Sequence, residues 1–153
     1  MELFRITLTV YADKLFAPGF PGRWNKEGEE VIYASASRSL ACLENMVHRK
    51  GRGDDMKYST MVIYVPDSSS VTQVNLSDLP IDWNQGSDVG DCQQIGSRWF
   101  GKKQSLLLRV PSAVLPDEYN LVIHTRHPDF SQVKLIQVLP FSFDKRLGYG
   151  EPT

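Results

Sequence analysis

The apolar positions of this chain change period several times. Residues 3–11 (LFRITLTVY) alternate imperfectly and are rich in β-forming side chains, which predicts a strand near the N-terminus that is tied into a sheet. A short strand follows at 30–34 (EVIYA), and Ser35 or Ser37 is placed to cap a helix running to about His48. On that helix Ala36, Leu40, Leu43 and Val47 form an apolar stripe, with Glu44 at its edge. Residues 60–65 (TMVIYV) return to strand character and stop at Pro66. Residues 105–110 (SLLLRV), 119–124 and 133–139 read as further strands. Between them, 88–100 has helical spacing at Val89, Cys92, Ile95 and Trp99, weakened by Gly90 and Gly96.

Two connections differ in kind. Residues 17–25 (APGFPGRWN) place two Pro and two Gly before Arg23, Trp24 and Asn25, which predicts a constrained irregular loop. Residues 49–57 (RKGRGDDMK) are charged and glycine-interrupted, as a solvent-facing connection is. The elements amount to a single α+β domain over residues 1–153, with a mixed or antiparallel sheet core and no internal repeat.

Composition narrows the partners. Seventeen Lys/Arg stand against 18 Asp/Glu, a net charge of −1, which argues against a surface built for the nucleic-acid backbone. The charge is unevenly spread: residues 58–97 contain no Lys or Arg but hold Asp67, Asp78, Asp82, Asp88 and Asp91. The apolar runs are far shorter than a membrane span, and two cysteines make no disulfide framework. A cytoplasmic protein with free thiols is expected, and Cys42 and Cys92 read as small apolar residues.

Several polar residues carry two readings. Arg23, followed by Trp24, either sets a guanidinium against phosphate beside an aromatic surface, or pairs with an acid while Trp24 fills the core. Glu44 is either a working carboxylate or an edge side chain paired with Arg38 or Arg49. Ser112, held after Pro111 at a strand end, lacks the Gly-x-Ser-x-Gly context of a hydrolase nucleophile and also suits a turn. His124, His127 and Asp129 form a polar group without a third ligand at a specific spacing, so no metal site is expected. Arg98, Lys102, Lys103 and Arg109 make a basic segment that reads as a solvated turn, or as a nucleic-acid effector surface without a known motif.

Taken in order, PGRWNKEG (21–28), VIYAS (31–35), SLACLENMVH (39–48) and LRVPSAVLPDEYN (108–120) resemble the RES domain family, the toxin half of bacterial Xre/RES toxin–antitoxin pairs. The similarity continues through HPDF (127–130) and PFSFDKRL (140–147). The arginine, glutamate and serine that name the family map to Arg23, Glu44 and Ser112, and two further polar positions map to Tyr33 and Asn120. The chain departs from the family pattern at His124-Thr125, where many relatives have Asn-Pro, and at Phe20-Pro21 in the arginine loop.

The resemblance implies a fold similar to ADP-ribosyltransferases and a toxin that degrades NAD by phosphorolysis or hydrolysis of its nicotinamide–ribose bond. NAD is then a substrate, phosphate an optional co-substrate, and no cofactor is tightly bound. Glu44 would stabilise the ribose cation, Arg23 would hold phosphate oxygens, and Tyr33 would stack on a base. Ser112 and Asn120 would orient ribose or phosphate groups, with Trp24 and Asn25 lining the substrate. A cognate Xre-type helix-turn-helix antitoxin is implied as partner, in a homodimer or a higher complex, with no direct nucleic-acid or membrane contact by this chain. The alternatives are a protein ADP-ribosyltransferase toxin and a noncatalytic partner-binding module.

Overall fold

The apolar segments assemble into one sheet. The computed structural model describes residues 1–49, 56–86 and 88–147, so part of the charged connection predicted at 49–57 lies outside the described residues. The strands are β1 (Glu2–Leu8), β2 (Val31–Ser35), β3 (Tyr58–Tyr64), β4 (Val71–Gln73), β5 (Leu107–Pro111), β6 (Tyr119–His124) and β7 (Lys134–Phe141). They lie in the order β4-β5-β6-β2-β1-β3-β7. Neighbours are antiparallel except β4 with β5. Two helices, α1 (Arg38–Arg49) and α2 (Gly90–Lys102), complete the α+β domain.

Strand alternation sorts side chains onto two faces. One face buries Leu3, Ile32, Ile63, Leu107 and Ile123, covered by the chain around Ala12 and Leu15 and by Phe130 and Val133. The other face carries both helices. Under α1, Ala41 packs with Ile6 and Tyr58 of the sheet. Under α2, Cys92 and Trp99 pack with Trp24, Val31, Leu108, Val110 and Val122. The polar pair Ser35 of β2 and Asn120 of β6, directly opposite in register, belongs to neither cluster and marks the seam between them.

The structure corrects four readings of the sequence. The first strand ends at Leu8, which pairs with Tyr58, the first residue of β3; Thr9–Tyr11 then form a helical turn that leaves Val10 and Tyr11 exposed. Helix α1 is rotated from its expected stripe: Leu40 and Ala41 are buried, while Leu43 and Val47 are 38% and 42% exposed. Its position is fixed at the start by Ser37, whose Oγ accepts from the Leu40 amide at 3.1 Å, and in the middle by Asn45, whose Nδ2 donates to the Ile6 carbonyl at 2.9 Å. That rotation turns Glu44 toward the sheet. Strand β4 escapes sequence patterning because it has three residues and exists through parallel pairing with β5. The basic segment is not one patch: Arg98 and Lys102 belong to α2, whereas Arg109 lies on β5 with its guanidinium 4.0 Å from the Tyr119 ring centre.

The glycine that weakens α2 in the sequence is a packing requirement. A Cβ on Gly96 would sit 1.7 Å from the Trp24 carbonyl oxygen, so the helix presses directly on the loop that carries Arg23. His124 is equally structural. It is fully buried, stacks on Phe100 with ring centres 4.1 Å apart, and donates from Nε2 to the Phe100 carbonyl at 2.8 Å. Its Nδ1 accepts from the Arg126 amide at 3.2 Å, which makes it the neutral Nε2-protonated tautomer. Burial holds its pKa below the ordinary histidine value.

Two outcomes follow. Gly96→Ala should cost about 3 kcal/mol and lower the melting temperature by roughly 5–10 °C, because backbone must move to admit the methyl group. Gly101→Ala, at a site on the same helix where a Cβ meets open space, should change it little or raise it. Equal effects of the two would contradict this packing. The lowered pKa of His124 means that the unfolded chain takes up a proton that the folded chain excludes. Its contribution to stability is therefore complete above about pH 6.5 and declines as pH falls toward the folded value. The stability gap between the native chain and His124→Asn, followed by denaturant unfolding, should narrow between about pH 7 and 5; a constant gap would exclude the linkage.

Candidate active site

Glu44 comes from the inner face of α1, and its side chain is only 20% exposed. Its Oε1 accepts two short hydrogen bonds, from Ser112 Oγ at 2.6 Å and from Asn120 Nδ2 at 2.6 Å. Charge-assisted bonds of this kind contribute about 1.5–3 kcal/mol each, so the pair offsets much of the cost of withdrawing a carboxylate from water. Both are neutral donors, so the site keeps the negative charge. Arg38 lies over the Phe4 ring with 4.8 Å between guanidinium carbon and ring centre. Beside the other carboxylate oxygen, Oε2, is His48 Nε2 at 3.9 Å, one helical turn on and 80% exposed.

Ser112 is a turn serine and a carboxylate partner at once. It is fully buried where β5 ends, and its Oγ accepts from the Val114 and Leu115 amides at 3.1 and 3.0 Å. With both backbone donors fixed on the oxygen, its single proton points to Glu44. Asn120 is set by register. It pairs with Val110 on one side and with Ser35 on the other, so its side chain joins the helix-covered face beside Ser35. Ser35 Oγ donates to Asn120 Oδ1 at 2.7 Å.

The Arg23 loop reaches the same face of β2 one pleat away. Tyr33 and Ser35 point the same way, about 7 Å apart along the strand. Tyr33 Oη accepts from the Trp24 amide at 3.0 Å and donates to Asn25 Oδ1 at 2.5 Å. Burial pushes its hydroxyl pKa well above the ordinary tyrosine value, so the phenol stays protonated. Asn25, itself buried, donates through Nδ2 to the Phe20 and Glu29 carbonyls at 2.9 and 3.1 Å. From α2, Gln93 Nε2 donates to the Gly22 carbonyl at 3.0 Å. Trp24 and Asn25 therefore point inward and hold the loop in shape.

Arg23 is anchored by a neutral group. Its Nη1 donates to the Trp83 carbonyl at 2.8 Å, and its guanidinium carbon lies 5.8 Å from the Trp83 ring centre. No carboxylate forms an ion pair with it among the described residues. The next residue, Asn84, donates to the Ala113 carbonyl at 3.3 Å, tying the arginine segment to the Ser112 corner. Ser35, Trp83 and Asn84 are site residues that the sequence does not announce. A recess that Arg23 borders through Trp83 and Cys92 is also lined by Asp82, Asp88 and Asp91, which disfavours a diphosphate within it.

The arrangement therefore offers a fixed carboxylate with one oxygen engaged, neutral hydrogen-bonding groups beside it, and an arginine without a carboxylate partner on the same side of the sheet. Such a set suits an anionic substrate on which positive charge develops during reaction.

Comparison with known proteins identifies the family. The RES domain family matches residues 2–144. A "Prs ADP-ribosylating toxin" of Sphingobium sp. is 35% identical over 144 residues, covering 91% of this chain and 89% of the relative. A "Toxin Res" of Yersinia enterocolitica is 33% identical over 152 residues, covering 96% and 99%. Among solved structures, the M. tuberculosis MbcT–MbcA toxin–antitoxin complex contains a chain that superposes with a TM-score of 0.78 at 21% identity, covering 92% of this chain and 84% of that one. This protein belongs to the RES domain family and is similar over nearly its whole length to the Res toxins.

Proposed function

We propose that this RES toxin degrades NAD by breaking the bond between nicotinamide and ribose. The observation that carries the reading is the Glu44 carboxylate, pinned at Oε1 by Ser112 and Asn120, with Oε2 outside those two bonds and 3.9 Å from His48 Nε2. When the bond breaks, its electron pair leaves with nicotinamide and neutralises the pyridinium ring, and positive charge appears on the ribose. A carboxylate oxygen beside that ring stabilises the cation. Its position is fixed before reaction, so little reorganisation opposes it. An oxygen of phosphate or water then bonds to the anomeric carbon. Water loses its proton and yields ADP-ribose, and phosphate yields phosphorylated ADP-ribose.

Arg23 is assigned to the diphosphate, which it would meet with charge-assisted hydrogen bonds. Tyr33 contributes its ring, since its hydroxyl is engaged by the loop. Trp24 and Asn25 act through the shape of that loop. The partner in this reading is a protein antitoxin of the Xre type, supported by the family and by the likeness of fold to a chain of a toxin–antitoxin complex. A cytoplasmic setting follows from that pairing. No helix among the described residues is long and apolar enough to cross a membrane.

A second reading keeps the same bond cleavage and changes the acceptor. The Sphingobium relative is described as ADP-ribosylating, which favours a protein side chain in place of phosphate or water.

Purified chain incubated with NAD should release nicotinamide, and adding phosphate should shift the second product from ADP-ribose to its phosphorylated form if phosphate is the acceptor. Glu44→Gln, which retains an acceptor oxygen for Ser112 and Asn120, should lower kcat by roughly a hundredfold or more while the chain stays folded. Transfer of labelled ADP-ribose to protein would select the second reading. Intact NAD with and without phosphate, together with no labelled protein, would sink both.

A further inference from the structure

Ser35 stands outside the set of polar residues that the family resemblance brings forward, yet the geometry gives it a defined task. It is buried to 3% exposure at the end of β2 and lies directly opposite Asn120 in the β2–β6 register. Its hydroxyl has one proton, and that proton is directed to Asn120 Oδ1 at 2.7 Å. An amide has two different ends. With Oδ1 held by Ser35, Nδ2 must face Glu44, where it donates at 2.6 Å. Rotation of the amide by half a turn would set Oδ1 against the carboxylate, two acceptors in contact.

We propose that Ser35 is a positioning residue that locks the Asn120 amide, so that Asn120 and Ser112 together occupy Glu44 Oε1 and leave Oε2 as the oxygen that meets the substrate. The chain Ser35–Asn120–Glu44 ties β2 and α1, which follow one another in sequence, to β6, whose Asn120 lies 85 positions from Ser35 and 76 from Glu44. Each contact has a direction that the next depends on. Ser112 cannot substitute for this lock, because its own proton is already directed to Oε1 and its oxygen accepts two backbone amides. Loss of the Ser35 hydroxyl leaves Oδ1 without its donor and frees the amide to turn, while Glu44 keeps one of its two donors.

The catalytic part of this inference rests on the proposed NAD cleavage; the amide lock does not. The test therefore has two arms. In the first, NMR of nitrogen-labelled chain should show the two Asn120 side-chain amide protons well separated, with the one bonded to Glu44 shifted downfield. Ser35→Ala should bring them together, and Ser35→Thr, which keeps a hydroxyl, should restore the separation. Unchanged resonances in a folded Ser35→Ala chain would overturn the lock whether or not the protein cleaves NAD.

In the second arm, Ser35→Ala should lower kcat for NAD roughly fivefold to tenfold with KM little changed, the scale of one hydrogen bond lost from a working group. The same substitution made in an Asn120→Ala background should have almost no further effect, because its route to Glu44 is already gone. An equal loss in both backgrounds would mean a merely structural role and overturn the inference. A native chain that leaves NAD intact, with the NMR result as expected, would remove the functional reading and keep the lock.

Discussion

The structure turns on a carboxylate held near the interior by two neutral donors. Glu44 could be carried inward on α1 only if its charge met compensation, and the Ser112 and Asn120 bonds at 2.6 Å supply it without a cation. A lysine or arginine in their place would also have satisfied the charge, but would have neutralised the field that, under the proposed function, stabilises an oxocarbenium-like ribose. Hydroxyl and amide donors stabilise the carboxylate and leave its sign intact. This explains why the corner after β5 is so tightly built: the Ser112 oxygen is fixed by two backbone amides, so its proton has one place to go.

The rest of the fold positions this group relative to an arginine. The two helices share one face of the sheet, and the seam between them receives Glu44 from one side and the Arg23 loop from the other. Helix α2 holds that loop by direct backbone approach at Gly96 and by Gln93, while Tyr33 holds it from the sheet through Asn25. Trp83 and Asn84 then join the arginine to the serine corner through two main-chain carbonyls. Under the proposed function, the distance between an anion-binding guanidinium and the bond-breaking carboxylate is thus set by packing in place of a mobile linker.

Much of this was legible in the residues. The strands after residue 100 and the helix capped by Ser37 follow from periodicity and end signals, and Arg23, Tyr33, Glu44, Ser112 and Asn120 stand in motif order. What escaped has physical causes. Ser35 reads as an ordinary strand end until the register places it opposite a residue 85 positions away. Gly96 reads as a helix weakener because the Trp24 carbonyl that excludes a side chain is invisible in sequence. The stripe expected at Leu43 and Val47 failed because polar residues, Glu44 and Asn45, took the inward face through specific bonds, which a hydrophobic pattern does not weigh. His124, a departure from the family pattern, proved to be a satisfied core histidine stacked on α2.

The most direct measurement is a crystal structure of the Glu44→Gln variant with NAD bound, since the variant keeps the shape of the seam while slowing bond cleavage. The nicotinamide ribose should lie against residue 44, on the side away from Ser112 and Asn120, with the diphosphate oxygens on the Arg23 guanidinium. NAD bound elsewhere, or bound with its ribose remote from residue 44, would contradict the assignment of this carboxylate as the group that breaks the bond.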